Sequence, residues 1–291
     1  MVRVSTPPNQ SSRNHVSFIY SLPQPSDAAN ALRSSLILYV SRCSRTPVMK
    51  TLLLTVWFVT LAFASHASAV EFSTVEFAGK RFTVCRVNVR TERLQLFHRD
   101  EAGQPFKRFD RLAPWLESRG QKLTFAMNAG MYHGDFSAVG LFVSSGQQAV
   151  PLNTANGDGN FFLKPNGVFA LTEAGARVIE SSEYPKLRER VILATQSGPL
   201  LVRGGKLHPA FTANSKSRLF RNGVGIPSPD IALFVISEAP VNFYEFATLF
   251  RDKLHCQDAL FLDGTISSLH ALELKRSDFR MDLGPIIAVT E

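Results

Sequence analysis

Cysteine is scarce in this chain, with three in 291 residues. No zinc-binding spacing, Walker loop, dinucleotide fingerprint or Ser-His-Asp signature is present. Nucleotide-driven, nicotinamide-dependent and triad chemistry are therefore set aside. No apolar run reaches the roughly 20 residues that a membrane-spanning helix needs. No internal repeat or low-complexity tract interrupts residues 70–291, so neither a solenoid nor a disordered tail accounts for the chain.

What is present begins with an amino-terminal address. Met49-Lys50 opens an apolar run over residues 52–64, and Ala67-Ser68-Ala69 supplies a small-x-small cleavage pattern. That order is the order of a secretory signal. Residues 1–48 precede it and are rich in Ser, Pro, Asn and Arg. They read as an upstream artefact of the start site, with translation beginning at Met49, or as a disordered leader. The expected organisation is a leader (1–48), a signal peptide (49–69) and one domain (70–291) in the periplasm or secreted. No stable membrane span is expected after signal removal.

The basic charge belongs mostly to that leader. The formal net charge is +8, but residues 1–69 hold Arg3, Arg13, Arg33, Arg42, Arg45 and Lys50 against one acid, Asp27. The remainder carries 26 basic and 23 acidic residues. A surplus that small gives no footprint for nucleic acid. Cys85 and Cys256 remain in this part, and either a disulfide or two buried thiols fits an exported protein.

From Val70 the chain alternates short apolar runs with turn residues. Residues 71–77, 82–89 and 94–97 read as three strands in a meander. Phe109, Leu112, Trp115 and Leu116 recur at helical spacing, with Gly120 as a stop. Hairpins are predicted around Gly146 and around Pro165-Asn166-Gly167. Residues 241–254 show an amphipathic helical pattern with Phe243, Phe246 and Phe250. Many short strands and two helices predict an α+β fold, a single domain on a large mixed or antiparallel sheet with a few flanking helices.

Four polar clusters follow apolar strands: residues 128–135, 196–199, 221–225 and 263–268. The last ends the run Ala259-Leu260-Phe261-Leu262 in Asp263-Gly264-Thr265-Ile266-Ser267-Ser268. An acid on a rigid strand end beside a glycine and two hydroxyls suits charge-handling chemistry. Read alone, Asp263 equally suits an Asx-turn or a helix cap.

The series changes that balance. Asn128-Ala129-Gly130-Met131-Tyr132, Gln196-Ser197-Gly198-Pro199, Arg221-Asn222-Gly223-Val224-Gly225 and Leu262-Asp263-Gly264, in this order, resemble the phosphodiester glycosidase family. Members carry an Asn-Gly-Gly-aromatic segment, a Ser-Gly-Pro turn, an Arg-x-x-aliphatic-Gly segment and an Asp-Gly-Gly-Gly-Ser loop. Here Ala129 stands for one glycine and Thr265-Ile266 for two, the pattern of a bacterial branch. The resemblance implies hydrolysis of a sugar 1-phosphodiester, with a sugar phosphate or an envelope glycan as substrate.

In that chemistry a phosphate must be held, an oxocarbenium-like sugar stabilised and water activated. Asp263 is the candidate base, nucleophile or counter-charge. Arg221 is the candidate phosphate holder, with Arg218 as its neighbouring rival. Glu238, after the strand 231–237, is the candidate second carboxylate. Asn128, Tyr132, His133, Gln196, Ser197, Gly198, Asn222, Gly264, Ser267 and Ser268 are candidates for substrate contact; most equally suit turns and caps. His133 with Asp135, and His270, are candidates for proton transfer or for a metal. No cofactor is expected, and a divalent metal is left open. The rival readings are a non-catalytic glycan-binding protein and a metal-dependent phosphodiesterase.

Overall fold

The computed structural model describes residues 70–264 and 266–291. The leader and signal read at 1–69, and Thr265, lie outside them. The described residues fall within one compact unit, and the fold is α+β, dominated by strands. In chain order these are β1 (Glu71–Phe77), β2 (Lys80–Asn88), β3 (Arg93–Phe97), helix α1 (Phe109–Glu117), β4 (Leu123–Asn128), β5 (Phe142–Ser144) and β6 (Gln147–Val150). Next come β7 (Gly167–Thr172), β8 (Gly175–Glu180), β9 (Val191–Ser197), β10 (Leu200–Arg203), β11 (Lys206–Leu207), β12 (Asn222–Ser228) and β13 (Ile231–Ser237). The chain ends with helix α2 (Phe243–Thr248), β14 (Asp258–Phe261), β15 (Leu269–Ala271), β16 (Arg276–Ser277) and β17 (Ile286–Thr290).

The strands form three antiparallel sheets. The largest has seven, ordered β1-β2-β13-β12-β14-β10-β11, and two have five, ordered β16-β15-β4-β17-β3 and β6-β5-β9-β7-β8. A common core joins all three. Phe234 of β13 lies 5.2 Å (ring centroids) from Phe125 of β4 and 5.6 Å from Phe169 of β7, one aromatic from each sheet.

Period-2 alternation explains the continuous apolar strands. In β13, Ala232, Phe234 and Ile236 enter the common core, while Leu233 and Val235 pack under α2. In β17, Ile287 and Val289 face that core, while Ile286 and Ala288 pack against α1 residues. Two sheets are thus covered on both faces. Helix α2 starts at a capping box: the Asn242 side chain accepts from Glu245 N, and the Glu245 carboxylate accepts from Asn242 N. A π-helical turn, Leu249–Lys253, follows it.

Two sequence expectations are corrected. Strand β3 leaves the meander and pairs with β17, because both edges of β2 are taken, by β1 and β13. The Pro165-Asn166-Gly167 hairpin does not form. Asn160–Phe162 is a 3-10 turn, and the buried Asn166 amide donates to Phe161 O at 2.8 Å. That clasp closes the chain locally, and β7 pairs with β8 and β9. Cys85 and Cys256 are free and buried in different clusters. Burial pushes both thiols up, Cys256 to about 12. Among the described residues, no helix is long and apolar enough to cross a membrane.

Three histidines, His208 buried and His98 and His270 partly so, set a pH dependence. Burial lowers the pKa of His98, His208 and His270 below 6.5. The unfolded chain therefore binds more protons than the fold below that value, and stability rises with pH there. The expected outcome is full stability above about pH 6.5 and a falling Tm as pH drops through the folded values. Melting curves between pH 7.5 and pH 5 check this; a flat profile would contradict it.

Candidate functional site

Strand β14 is an interior strand of the seven-stranded sheet, between β12 and β10. Its apolar residues are buried, and the chain emerges at Asp263, which is half-buried. The turn that follows is held from beneath by four polar side chains, each at most 1% exposed. Asn128, ending β4, donates from Nδ2 to Asp263 O at 2.8 Å, and its Oδ1 accepts from Ser268 N at 3.0 Å. Asn222, opening β12, donates to Asn128 O at 3.0 Å. Ser267 Oγ donates to Gly264 O at 2.8 Å and lies 3.0 Å from Asn222 Oδ1. Ser197 Oγ donates to Leu262 O at 3.2 Å.

Strand ends from all three sheets therefore meet at one loop. The side chains of Asn128, Asn222, Ser197 and Ser267 spend their hydrogen bonds on the loop and on each other. Gly264 lets the loop lie close: a Cβ there would sit 2.7 Å from the Phe261 ring. Gly130 has a like reason, since its Cβ would meet Gln196 O and Thr195 Oγ1 at 2.4 Å.

Tyr132 packs against the apolar cluster that contains Ile266 of the same loop. Its hydroxyl donates to Asp282 O. Burial first, then the charges of Asp263 and Asp282, push its pKa up to about 12. Its ring stacks on Phe136 at 5.5 Å. His133 stands exposed in the turn beyond, whose backbone closes on Phe136 and Ser137. Asp135 bonds Ser137 through Oδ1, and those bonds lower its pKa. His270 Nδ1 lies 3.1 Å from Ser277 Oγ.

Arg221 is 1% exposed. Its guanidinium lies 3.6 Å from the Phe243 ring centroid, with Nε on Val241 O at 2.9 Å and Nη2 on Ser217 O at 3.1 Å. Nη1 is buried without a partner. Burial lowers the pKa to about 10, which leaves the group charged at neutral pH. The rival Arg218 is occupied by a two-pronged pair with Glu245 at 2.8 and 2.9 Å.

Glu238 accepts from Thr83 Oγ1 and from Arg276 Nη1, both at 2.6 Å. Arg276 also bonds Asp278, whose Oδ2 accepts from Leu269 N at 3.1 Å. Glu238 is thus linked to the backbone of Leu269, the residue after Ser268, through an ion-pair chain. Sequence reasoning missed Arg276 and Asp278; their alternate spacing near the loop was the only available signal. Gln196 is tied elsewhere: Oε1 accepts from Leu141 N and Asn153 N, and Nε2 donates to Asn153 O and Ser181 Oγ. Gly198 is pressed against Asn166 and Phe161 O, each 2.7 Å from where its Cβ would be. Among the described residues, no group of three or more His, Cys, Asp or Glu is placed to hold a metal ion.

The half-buried Asp263 thus sits on a loop whose backbone is held by side chains from strands of all three sheets. The chain belongs to the phosphodiester glycosidase family, whose model matches residues 121–281. It is 36% identical over 184 residues to the uncharacterized protein YigE of Escherichia coli K12, covering 63% of this chain and 72% of that protein. Its fold is similar to the catalytic domain of zebrafish N-acetylglucosamine-1-phosphodiester alpha-N-acetylglucosaminidase, in a structure auto-inhibited by its pro-peptide. The TM-score is 0.53 at 13% identity, over 77% of this chain and 84% of that one. That likeness is one of fold.

Proposed function

We propose that the protein is an exported hydrolase that cleaves the anomeric C–O bond of a sugar 1-phosphodiester in a cell-envelope glycan. The observation that carries this reading is the half-buried Asp263 at the end of β14, on a backbone fixed by Asn128. Phosphate leaves as a stable anion, so a strong general acid is not required. A fixed carboxylate facing the cationic sugar, or activating water, is the larger need. Arg221 is the residue assigned to the phosphate; its Nη1 has no protein partner but is buried, so this role requires the segment over it to open when substrate binds. Glu238 is the second carboxylate, oriented by Arg276. Asn128, Asn222, Ser197 and Ser267 act by holding the loop. Export is supported by the signal pattern at 49–69.

The test is hydrolysis of an N-acetylglucosamine 1-phosphodiester and related envelope fragments in ¹⁸O-labelled water. Glycosidase chemistry puts the label on the sugar. Label on phosphate, with loss of activity in chelator, would make it a metal-dependent phosphodiesterase. Binding without turnover across a broad substrate panel would make it a glycan-binding protein.

A further inference from the structure

An open cleft of about 500 Å³ is lined by Lys107, Arg108, Asp110, Arg111 and Asp282, whose sequence neighbours Phe106, Phe109 and Leu283 share an apolar cluster with Ile266 of the Asp263 loop. Three bases face two acids, and the neutralisation is incomplete. Arg108 pairs with Asp110 but leaves its Nε buried without a partner. Lys107 is 3.5 Å from Asp282, while Arg111 is exposed and makes no ion pair among the described residues. The cleft is joined to the site by contact. Lys107 Nζ sits 4.0 Å from the centroid of the Phe136 ring, Phe136 stacks on Tyr132, and Tyr132 bonds Asp282 O. Tyr132 in turn packs against the apolar cluster that contains Ile266 of the Asp263 loop. The three bases come from residues 107–111, outside the segment matched by the family model.

We propose that this cleft is a second anion subsite, which takes a phosphate carried on the leaving half of the substrate. The inference rests on the glycosyl phosphodiester reading above. A phosphodiester cut at Asp263 must extend its phosphate-linked half away from the sugar, and the neighbouring surface on the Tyr132 side is this cationic cleft. Its volume suits one phosphorylated group. Arginine forks and a lysine point charge are the side chains that recognise phosphate oxygens. The phosphate belongs either to a soluble sugar or to a lipid headgroup. Phe279 and Met281, 58% and 51% exposed, flank the cleft, and Arg108 stacks 4.0 Å from the Phe279 ring centroid.

The experiment uses the purified protein at low salt, with Arg111→Glu and Lys107→Met beside the parent. Both side chains are at or near the surface, and a melting curve for each confirms the fold. Inorganic phosphate is titrated by NMR. The expected result, read from the signals of residues 107–111, is affinity lowered about tenfold in Arg111→Glu. In turnover, KM for a diester with a phosphorylated leaving half rises by a similar factor, with the effect on KM rather than kcat. Vesicles of phosphatidylglycerol, against phosphatidylcholine, form the second arm. Parent binding to the anionic vesicles only, lost in Arg111→Glu without any response to soluble phosphate, identifies the lipid headgroup as the source. Phosphate and vesicle binding both indifferent to Arg111→Glu and Lys107→Met would overturn the subsite. Binding that depends on the cleft in a protein that hydrolyses no diester would instead sink the glycosidase reading and leave the subsite standing.

Discussion

Asp263→Asn should lower turnover of a glycosyl phosphodiester by about 10²–10⁴ and leave the fold intact. The loop is gripped by its backbone, through Asp263 O and Asn128 Nδ2. Exchanging one side-chain oxygen for an amide leaves that grip untouched. The charge is what disappears, and with it the group proposed to face the cationic sugar or to take a proton from water. Tyr132 gives a readout that does not depend on substrate. Its pKa of about 12 owes part of its elevation to Asp263, after burial. Removing the negative charge favours the tyrosinate, so the Tyr132 pKa should fall while remaining above its ordinary value of 10.0. NMR titration of that ring measures it. A variant with the Tyr132 shift and full turnover would remove Asp263 from the chemistry. Glu238→Gln makes a useful contrast, because it breaks the ion pair to Arg276 while Arg276 keeps Asp278.

Asn128→Asp should be the most damaging isosteric change in the site. Nδ2 of Asn128 donates to Asp263 O at 2.8 Å and lies 3.3 Å from Asn222 Oδ1. An aspartate oxygen there would face two acceptors inside a site 1% exposed. Each lost partner in such a place costs about 1–3 kcal/mol, so a total near 3 kcal/mol or more is expected. For a domain of this size that is a fall in Tm of roughly 6–12 °C. The sign of the pH dependence identifies the cause. The buried carboxyl has its pKa raised, so the fold binds a proton that the unfolded chain releases. The deficit relative to the parent should grow as pH rises through that raised value and shrink toward acid, where the protonated acid donates again. Asn128→Leu should show a comparable loss without that trend. Equal melting curves for parent and Asn128→Asp at pH 8 would show that the knot does not hold the loop.

Both predictions concern residues that the sequence singled out, but in different senses. Asp263 was visible because an apolar run stops at an acid and a glycine, and β14 does end two residues earlier. Asn128, Asn222, Ser197 and Ser267 were visible as polar residues after strands and were read as substrate contacts. Their amides and hydroxyls are turned inward, onto the loop. Nothing local to any of them states which way they face.

The sequence by itself determined the two-faced strands, because alternation in β13 and β17 sorts each side chain to one of two cores. It also determined the family, because the ordered clusters lie along one chain. Only the tertiary structure decided which strands pair. β3 is excluded from the edge of β2 by β13, about 140 residues later in sequence, a competition no local window contains. It likewise decided the site's supports. Asn128 reaches Asn222, Asp263 and Ser268 across 94, 135 and 140 residues, and Glu238 finds Arg276 across 38. Propensity and periodicity act over a few residues, whereas a buried polar group takes whichever partner the packed sheets bring within about 3 Å. The acid was written in the sequence; what holds it in place was set by the meeting of three sheets.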